Sequence, residues 1–240
     1  MSDHMTQYTE GHTVRAFDAE LEQLRSLVLQ MGGLVIDQLQ RAVNAIRKRD
    51  IGSAKLVVER EATVNQYDID GEELIFNLLA KRQPMGADLR MIISFIRAIT
   101  DLERCGDEAK KIAKIARRHI DAGAEIDADF DGSTESMGEL AAELLRTAVE
   151  ALDNADAQSA IQTAKEDARL DAEYKRSVRS IHDAMISQPS LVDVAADHVV
   201  VIKALERIGD HAKNIAKYVV FIVQGRDVRH VKAKALERDL

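Results

Sequence analysis

Two acidic pairs recur at one spacing in two copies of a thirteen-residue segment. Glu103 and Asp107 belong to LERCGDEAKKIAK at 102–114, Glu206 and Asp210 to LERIGDHAKNIAK at 205–217, and the copies agree at ten of thirteen positions. On a helix, residues four apart share a face, so each pair presents two carboxylates to one region of space. Like charges placed this way repel by about 0.2–0.5 kcal/mol, a cost that a bound cation removes. Two more oxygen-bearing pairs lie upstream, Glu61/Asn65 and Asp167/Asp171, related by a shift of 106 residues. In the first copy the acidic face continues through Asp68 and Glu72. If the helices carrying these pairs are neighbours, four oxygen-bearing side chains converge in each copy. An all-oxygen donor set suits hard cations, with trivalent iron, manganese, magnesium and calcium as the candidates. Zinc fits less well, because no Cys or His cluster accompanies the carboxylates.

The competing explanation is a solvated acidic face balanced by neighbouring cations. Lys110 and Lys111 follow Asp107 at three and four residues, and Lys213 follows Asp210 at three. Recurrence of four pairs at equivalent positions favours the metal reading. Asn65 is the one position at which the duplicated chemistry is unequal. Catalysis has less support. Di-iron carboxylate bundles place His three residues after Glu, whereas Gly106 and Gly209 stand there in this chain. His211 follows Asp210 directly, but its counterpart is Glu108. No phosphate loop, nucleophile elbow or zinc-protease helix motif occurs. The readings from other classes are a metalloenzyme with an oxygen-ligated multinuclear centre and a metal-free helical scaffold.

The elements that must hold these side chains are also duplicated. The 106-residue shift superposes Met31-Gly32 on Met137-Gly138, Ala42-Val43 on Ala148-Val149, Asp50 on Asp156 and Ser53-Ala54 on Ser159-Ala160. Gln83-Pro84 repeats at 188–189 with a shift of 105, and the LER-x-GD segments with 103. Such periodicity at about half the chain length marks one supersecondary unit used twice. Apolar residues recur at three and four residues throughout, predicting helices at 16–48, 51–81, 85–120, 133–153, 156–187 and 190–224. Pro84 and Pro189 mark third-helix starts, and the Asp- and Gly-rich stretch 121–133 reads as the link between halves. The expected fold is all-α: two tandem homologous three-helix bundles, six long antiparallel helices in all, at 16–120 and 129–225, flanked by tails at 1–15 and 226–240.

Composition narrows the function. A net charge of −8 argues against nucleic acid, whose phosphates require clustered Lys and Arg. Arg47-Lys48-Arg49 reads as the basic end of a helix. Cys105 is the sole cysteine, which excludes an internal disulfide and fits a reducing compartment; within an apolar stripe it reads as a small hydrophobe. No stretch approaches the roughly 20 apolar residues of a membrane span, and the first residues lack a signal-peptide layout. The expectation is a cytoplasmic protein.

With MGGLV at 31–35, AKRQP and ADLR across 80–90, LERCGD at 102–107, LERIGD at 205–210 and GRDVRHV at 225–231, the chain resembles the PhoU family of phosphate-uptake regulators nearly end to end. The resemblance implies a non-enzymatic, frequently dimeric cytoplasmic regulator that represses the phosphate-starvation response. Its implied partners are a phosphate ABC transporter, through the ATPase subunit, and a membrane sensor histidine kinase. The family's metal motif is an acidic residue followed at four by Asp or Asn. By that resemblance Glu61, Asn65, Glu103, Asp107, Asp167, Asp171, Glu206 and Asp210 are the ligands of multinuclear clusters, with iron foremost.

Overall fold

The computed structural model describes residues 15–124 and 128–231. Six α-helices run through them: α1 Arg15–Arg47, α2 Ile51–Arg82, α3 Gly86–Asp121, α4 Ala128–Asn154, α5 Ala157–Ser187 and α6 Val192–Gln224, the last preceded by a single 3-10 turn at Pro189–Leu191. The duplicated sequence sets matching starts. Asp50 caps α2 by accepting from the Gly52 and Ser53 amides at 2.9 and 3.1 Å. Asp156 caps α5 from the Gln158 and Ser159 amides, both at 3.0 Å. A capping carboxylate satisfies amides that the helix leaves without partners and complements the positive end of its dipole. Gly225, at φ 71°, closes α6 in the left-handed conformation that ends many helices.

Each half is a three-helix bundle, with α1, α2 and α3 packed pairwise in one and α4, α5 and α6 in the other. The halves join through α1 against α4 and α3 against α6, so one apolar core spans both. The α1–α4 seam is reciprocal. A Cβ on Gly138 would meet Val43 Cγ2 at 2.7 Å, and a Cβ on Gly32 would meet Val149 Cγ1 at 3.0 Å. Gly32 and Gly138 are repeat equivalents, as are Val43 and Val149. Each half therefore seats its valine on the other's glycine, the pattern of a two-fold interface. This explains why the small residues of the Met-Gly pair occur in both copies.

The α3–α6 seam is polar at three points, one of them Asp197 of α6, which pairs with His119 Nε2 at 2.8 Å and with Arg118 of α3. Asp101, 3% exposed, accepts from Tyr218 Oη at 2.8 Å and pairs with His211 Nδ1 at 2.7 Å. Burial and the adjacent Asp101 carboxylate push the Tyr218 phenol well above its usual range. Glu108, also buried, receives Lys111 at 2.6 Å and Arg207 at 2.8 Å. Arg47 at the end of α1 reaches Glu135 of α4 at 2.6 Å, so the basic run seen in the sequence is a helix terminus tied across the seam.

The link between halves is shorter than its composition predicts. Helix α4 begins at Ala128, five residues before the expected start at 133. Phe130 is the reason. Its ring is 1% exposed and stacks on His198 with centroids 4.9 Å apart, and its carbonyl accepts from the Ser133 and Thr134 hydroxyls. Burial of that aromatic residue stabilises helix where Asp and Gly alone suggest a loop. The expected tails fall largely outside the described residues, but 226–231 is described, with Val228 buried.

One core position breaks the repeat. Gln38 is fully buried, and neither its amide nitrogen nor its oxygen has a hydrogen-bond partner. Its counterpart across the 106-residue shift is Leu144, whose side chain lies against Gly209 as Gln38 lies against Gly106. A buried unpaired amide costs about 1–3 kcal/mol. Gln38→Leu is expected to stabilise the chain by about 1 kcal/mol or more, read as a rise in the urea midpoint at constant slope. An unchanged or lower midpoint would mean the amide is satisfied by solvent.

Candidate functional site

The glycine inside each LER-x-GD segment is what brings the acidic helices together. A Cβ on Gly106 would sit 3.1 Å from Val64 Cγ1, and one on Gly209 would sit 2.3 Å from Leu170 Cδ2. Val64 and Leu170 are repeat equivalents on α2 and α5. A glycine inside a helix costs about 1 kcal/mol relative to alanine, and the return is close approach of the second and third helices of each half. That approach carries Glu61 to Asp107 and Asp167 to Asp210.

In the first half, Glu61 accepts from Lys110 Nζ at 2.7 Å, and the same ammonium lies 3.8 Å from Asp107. Burial works against ionising Glu61, but Lys110 and hydrogen bonds with Asp107 and Asn65 outweigh it and hold the carboxyl below its usual range. Asp107 is held above its range, by burial and then by its hydrogen bond to Glu61. Glu103 is also raised, by burial and then by repulsion from Asp107, Asp68 and Glu61. Asp68 is raised by burial and by Glu72.

In the second half one ammonium bridges two carboxylates. Lys213 Nζ lies 2.6 Å from Asp167 Oδ2 and 2.6 Å from Asp210 Oδ1. Burial opposes its charge, but the two carboxylates prevail and raise it well above an ordinary lysine. Burial keeps Asp167 above its usual range in spite of Lys213, with Asp171 and Asp210 adding repulsion. Glu206 is turned elsewhere: it accepts from Lys203 at 2.6 Å, whose ammonium sits 5.2 Å from the Tyr174 ring centroid.

The structure thus gathers Glu61, Asn65, Glu103 and Asp107 at one centre and Asp167, Asp171 and Asp210 at the other, while Glu206 pairs with Lys203. Among the described residues no three His, Cys, Asp or Glu side chains form a ready coordination sphere. The convergence is onto a lysine. Lys110 and Lys213 are repeat equivalents, three residues after each Asp, and their role as the built-in cation was visible in the sequence only as an ordinary i,i+3 pair. The donor set fits a hard cation in kind: oxygen ligands only, with Glu103, Asp107 and Asp167 held above their usual range by burial and then by neighbouring carboxyl groups. No polar pair here resembles a nucleophile with its base, and the Cys105 thiol is buried and pushed up by that burial.

Next to the second centre lies a groove of ≈ 500 Å³, bounded by α5, α6 and the segment after Gly225. Lys217 forms its inner wall. This lysine is only 8% exposed, donates to the Arg229 carbonyl at 2.9 Å, and is held below its usual range by burial and then by Lys213.

Comparison with known proteins agrees with this duplicated architecture. A family model described as the PhoU domain matches residues 28–116 and again 134–219. The phosphate-specific transport system accessory protein PhoU homolog of Pseudomonas aeruginosa is 36% identical, over 95% of this chain and 94% of its own length. The accessory protein PhoU of Escherichia coli K12 is 32% identical, over 95% and 93%. The crystal structure of PhoU from Pseudomonas aeruginosa superposes with a TM-score of 0.84 at 37% identity, covering 88% of this chain and all of that one. The phosphate transport system regulatory protein PhoU of Streptococcus pneumoniae gives 0.78 at 28%, covering 88% and 99%. With both halves matched and its relatives covered almost end to end, the chain belongs to the PhoU family.

Proposed function

We propose that this chain is a non-enzymatic accessory regulator of phosphate-specific transport, acting in the cytoplasm. In this reading it restrains uptake and the phosphate-starvation response by coupling the ATPase subunit of a phosphate ABC transporter to a membrane sensor histidine kinase. The observation that carries the proposal is the match of the PhoU domain to both halves, alongside relatives named as accessory proteins of phosphate transport. The described residues contain no helix long and apolar enough to cross a membrane, which fits a protein that visits membrane partners through its surface. Ile69, Phe76 and Met85, exposed to 57%, 72% and 81%, are the apolar side chains of the first half proposed to meet a partner, a second copy included.

The carboxylate centres are proposed as modulatory metal sites. Glu61, Asn65, Glu103 and Asp107 would hold cations in the first half, and Asp167, Asp171 and Asp210 in the second, joined by Glu206 once it leaves Lys203. A bound cation, iron foremost, would neutralise the repelling carboxylates, the task that Lys110 and Lys213 perform here.

The metal layer is tested by a variant with Glu103, Asp107, Glu206 and Asp210 all replaced by Ala, the regulatory layer by the wild-type chain. Protein purified without chelators is expected to carry metal by elemental analysis, and the variant to carry none; equal metal in both would remove these ligands. In a host lacking the endogenous gene, the wild-type chain is expected to keep phosphatase expression repressed in high phosphate. Expression that stays derepressed with the wild-type chain would overturn the regulatory reading, whatever the metal content.

A further inference from the structure

The GRDVRHV segment at 225–231 has no part in the carboxylate centres, yet it completes the groove beside one of them. After the α6 cap at Gly225 the chain turns back, Val228 enters the core, and the Arg229 carbonyl receives Lys217 Nζ. The lysine at the equivalent position of the first half, Lys114, is exposed. Burial of Lys217 is thus peculiar to the second half, where this segment covers it.

A buried ammonium normally has a carboxylate beside it, because desolvating an uncompensated charge costs several kcal/mol. Among the described residues Lys217 forms no ion pair, and the carbonyl uses one of its three N–H donors. The nearby carboxylates favour its charge only from a distance: Asp167 and Asp210 attract it but are bridged by Lys213, and Asp171 forms no ion pair with it. Lys165, Arg229 and His230 line the same groove, Arg229 with its guanidinium also held by Asp227 at 2.6 Å. In a chain of net charge −8, this concentration of positive groups around an open space of ≈ 500 Å³ calls for an anion.

We infer that the groove between α5, α6 and residues 229–231 is a binding site for a small oxyanion of the phosphate type, with Lys217 as its buried anchor and Lys165 and Arg229 at its rim. Tetrahedral oxyanions accept several charge-assisted hydrogen bonds at once, which suits an ammonium with two free donors flanked by a guanidinium and a second ammonium. The site needs no metal, so it stands or falls separately from the carboxylate centres and from the regulatory reading.

The test is calorimetric titration of inorganic phosphate into the full chain after EDTA treatment and dialysis into phosphate-free buffer, with sodium chloride at matched ionic strength as the control. Saturable binding is expected with phosphate and none with chloride. Lys217→Met, which keeps the apolar length of the side chain, is expected to weaken phosphate roughly tenfold or more, the worth of one charge-assisted hydrogen bond. Lys165→Gln, at the rim, is expected to weaken it severalfold and guards against misreading a folding defect. Absence of saturable binding by the wild-type chain, or equal affinity in both variants, would overturn the assignment. Binding that appears only when iron or manganese is restored would also overturn it, by placing the anion on the carboxylate centres.

Discussion

Gly138→Leu is expected to destabilise the chain by about 2 kcal/mol net, because it overpacks the seam between the halves. Even the first carbon of the new side chain would lie 2.7 and 2.9 Å from the two methyls of Val43 and 3.4 Å from its Cβ. Valine is β-branched, and its χ1 is nearly fixed in a helix, so it cannot swing aside as a longer side chain would. The remaining leucine carbons must push α1 from α4. Overpacking of this kind costs typically about 1–3 kcal/mol, with the upper end expected here because both partners are stiff helices. Removing a glycine from a helix returns somewhat less than about 1 kcal/mol. A net loss of 2 kcal/mol lowers the thermal midpoint by roughly 4–8 °C in a chain of this size. The diagnostic arm is Val43→Ala, which empties the seat. Combined with Gly138→Leu it is expected to cost less than the sum of the separate changes, with a coupling of about 1 kcal/mol or more. Additive losses would show that the seam yields and that the reciprocal seats are not what joins the halves.

Asp101→Ala should be more damaging still, through a different mechanism. The carboxylate is buried where α3 meets α6 and is the acceptor for the Tyr218 hydroxyl and the partner of the His211 ring. Removing it strands two polar groups that the folded state hides from water. Each stranded group costs about 1–3 kcal/mol. A total near 3 kcal/mol is expected from urea unfolding. Tyr218→Phe alone should cost less, since Asp101 keeps His211. In the Asp101→Ala background, Tyr218→Phe should recover part of the loss, because it removes one stranded hydroxyl. If Asp101→Ala unfolds at the wild-type midpoint, water reaches the network and the seam is wetter than the 3% exposure of Asp101 implies.

These two seams also mark the limits of what was legible in the sequence. The helices themselves were written in apolar spacing and caps: Asp50 and Asp156 each stand one residue before a helix, and predicted ends mostly lie within one or two residues of those observed. The reciprocal fit of Val43 on Gly138 was present only as a coincidence of matched positions, because periodicity shows which face is apolar but not which helix it meets. The start of α4 was misread for a related reason. Phe130 is a single aromatic residue in a polar stretch, and its burial against His198 depends on a residue 68 positions away. At the carboxylate centres the sequence supplied the right faces and the paired helices. It did not show that Lys110 and Lys213 reach across to Glu61 and Asp167, since an i,i+3 salt bridge and an interhelical one use the same residues. The buried state of Lys217 was illegible altogether, because it depends on a non-helical segment folding back.

A seam that pairs each half with its own likeness would, between two identical chains, force every change to occur twice. Covalent joining lifts that restriction, and the chain has used the freedom. Gln38 corresponds to Leu144, Asn65 to Asp171, and exposed Lys114 to covered Lys217. Such a molecule has a left and a right: two partners arriving at corresponding surfaces meet different chemistry, and one scaffold can tell them apart without a second gene product.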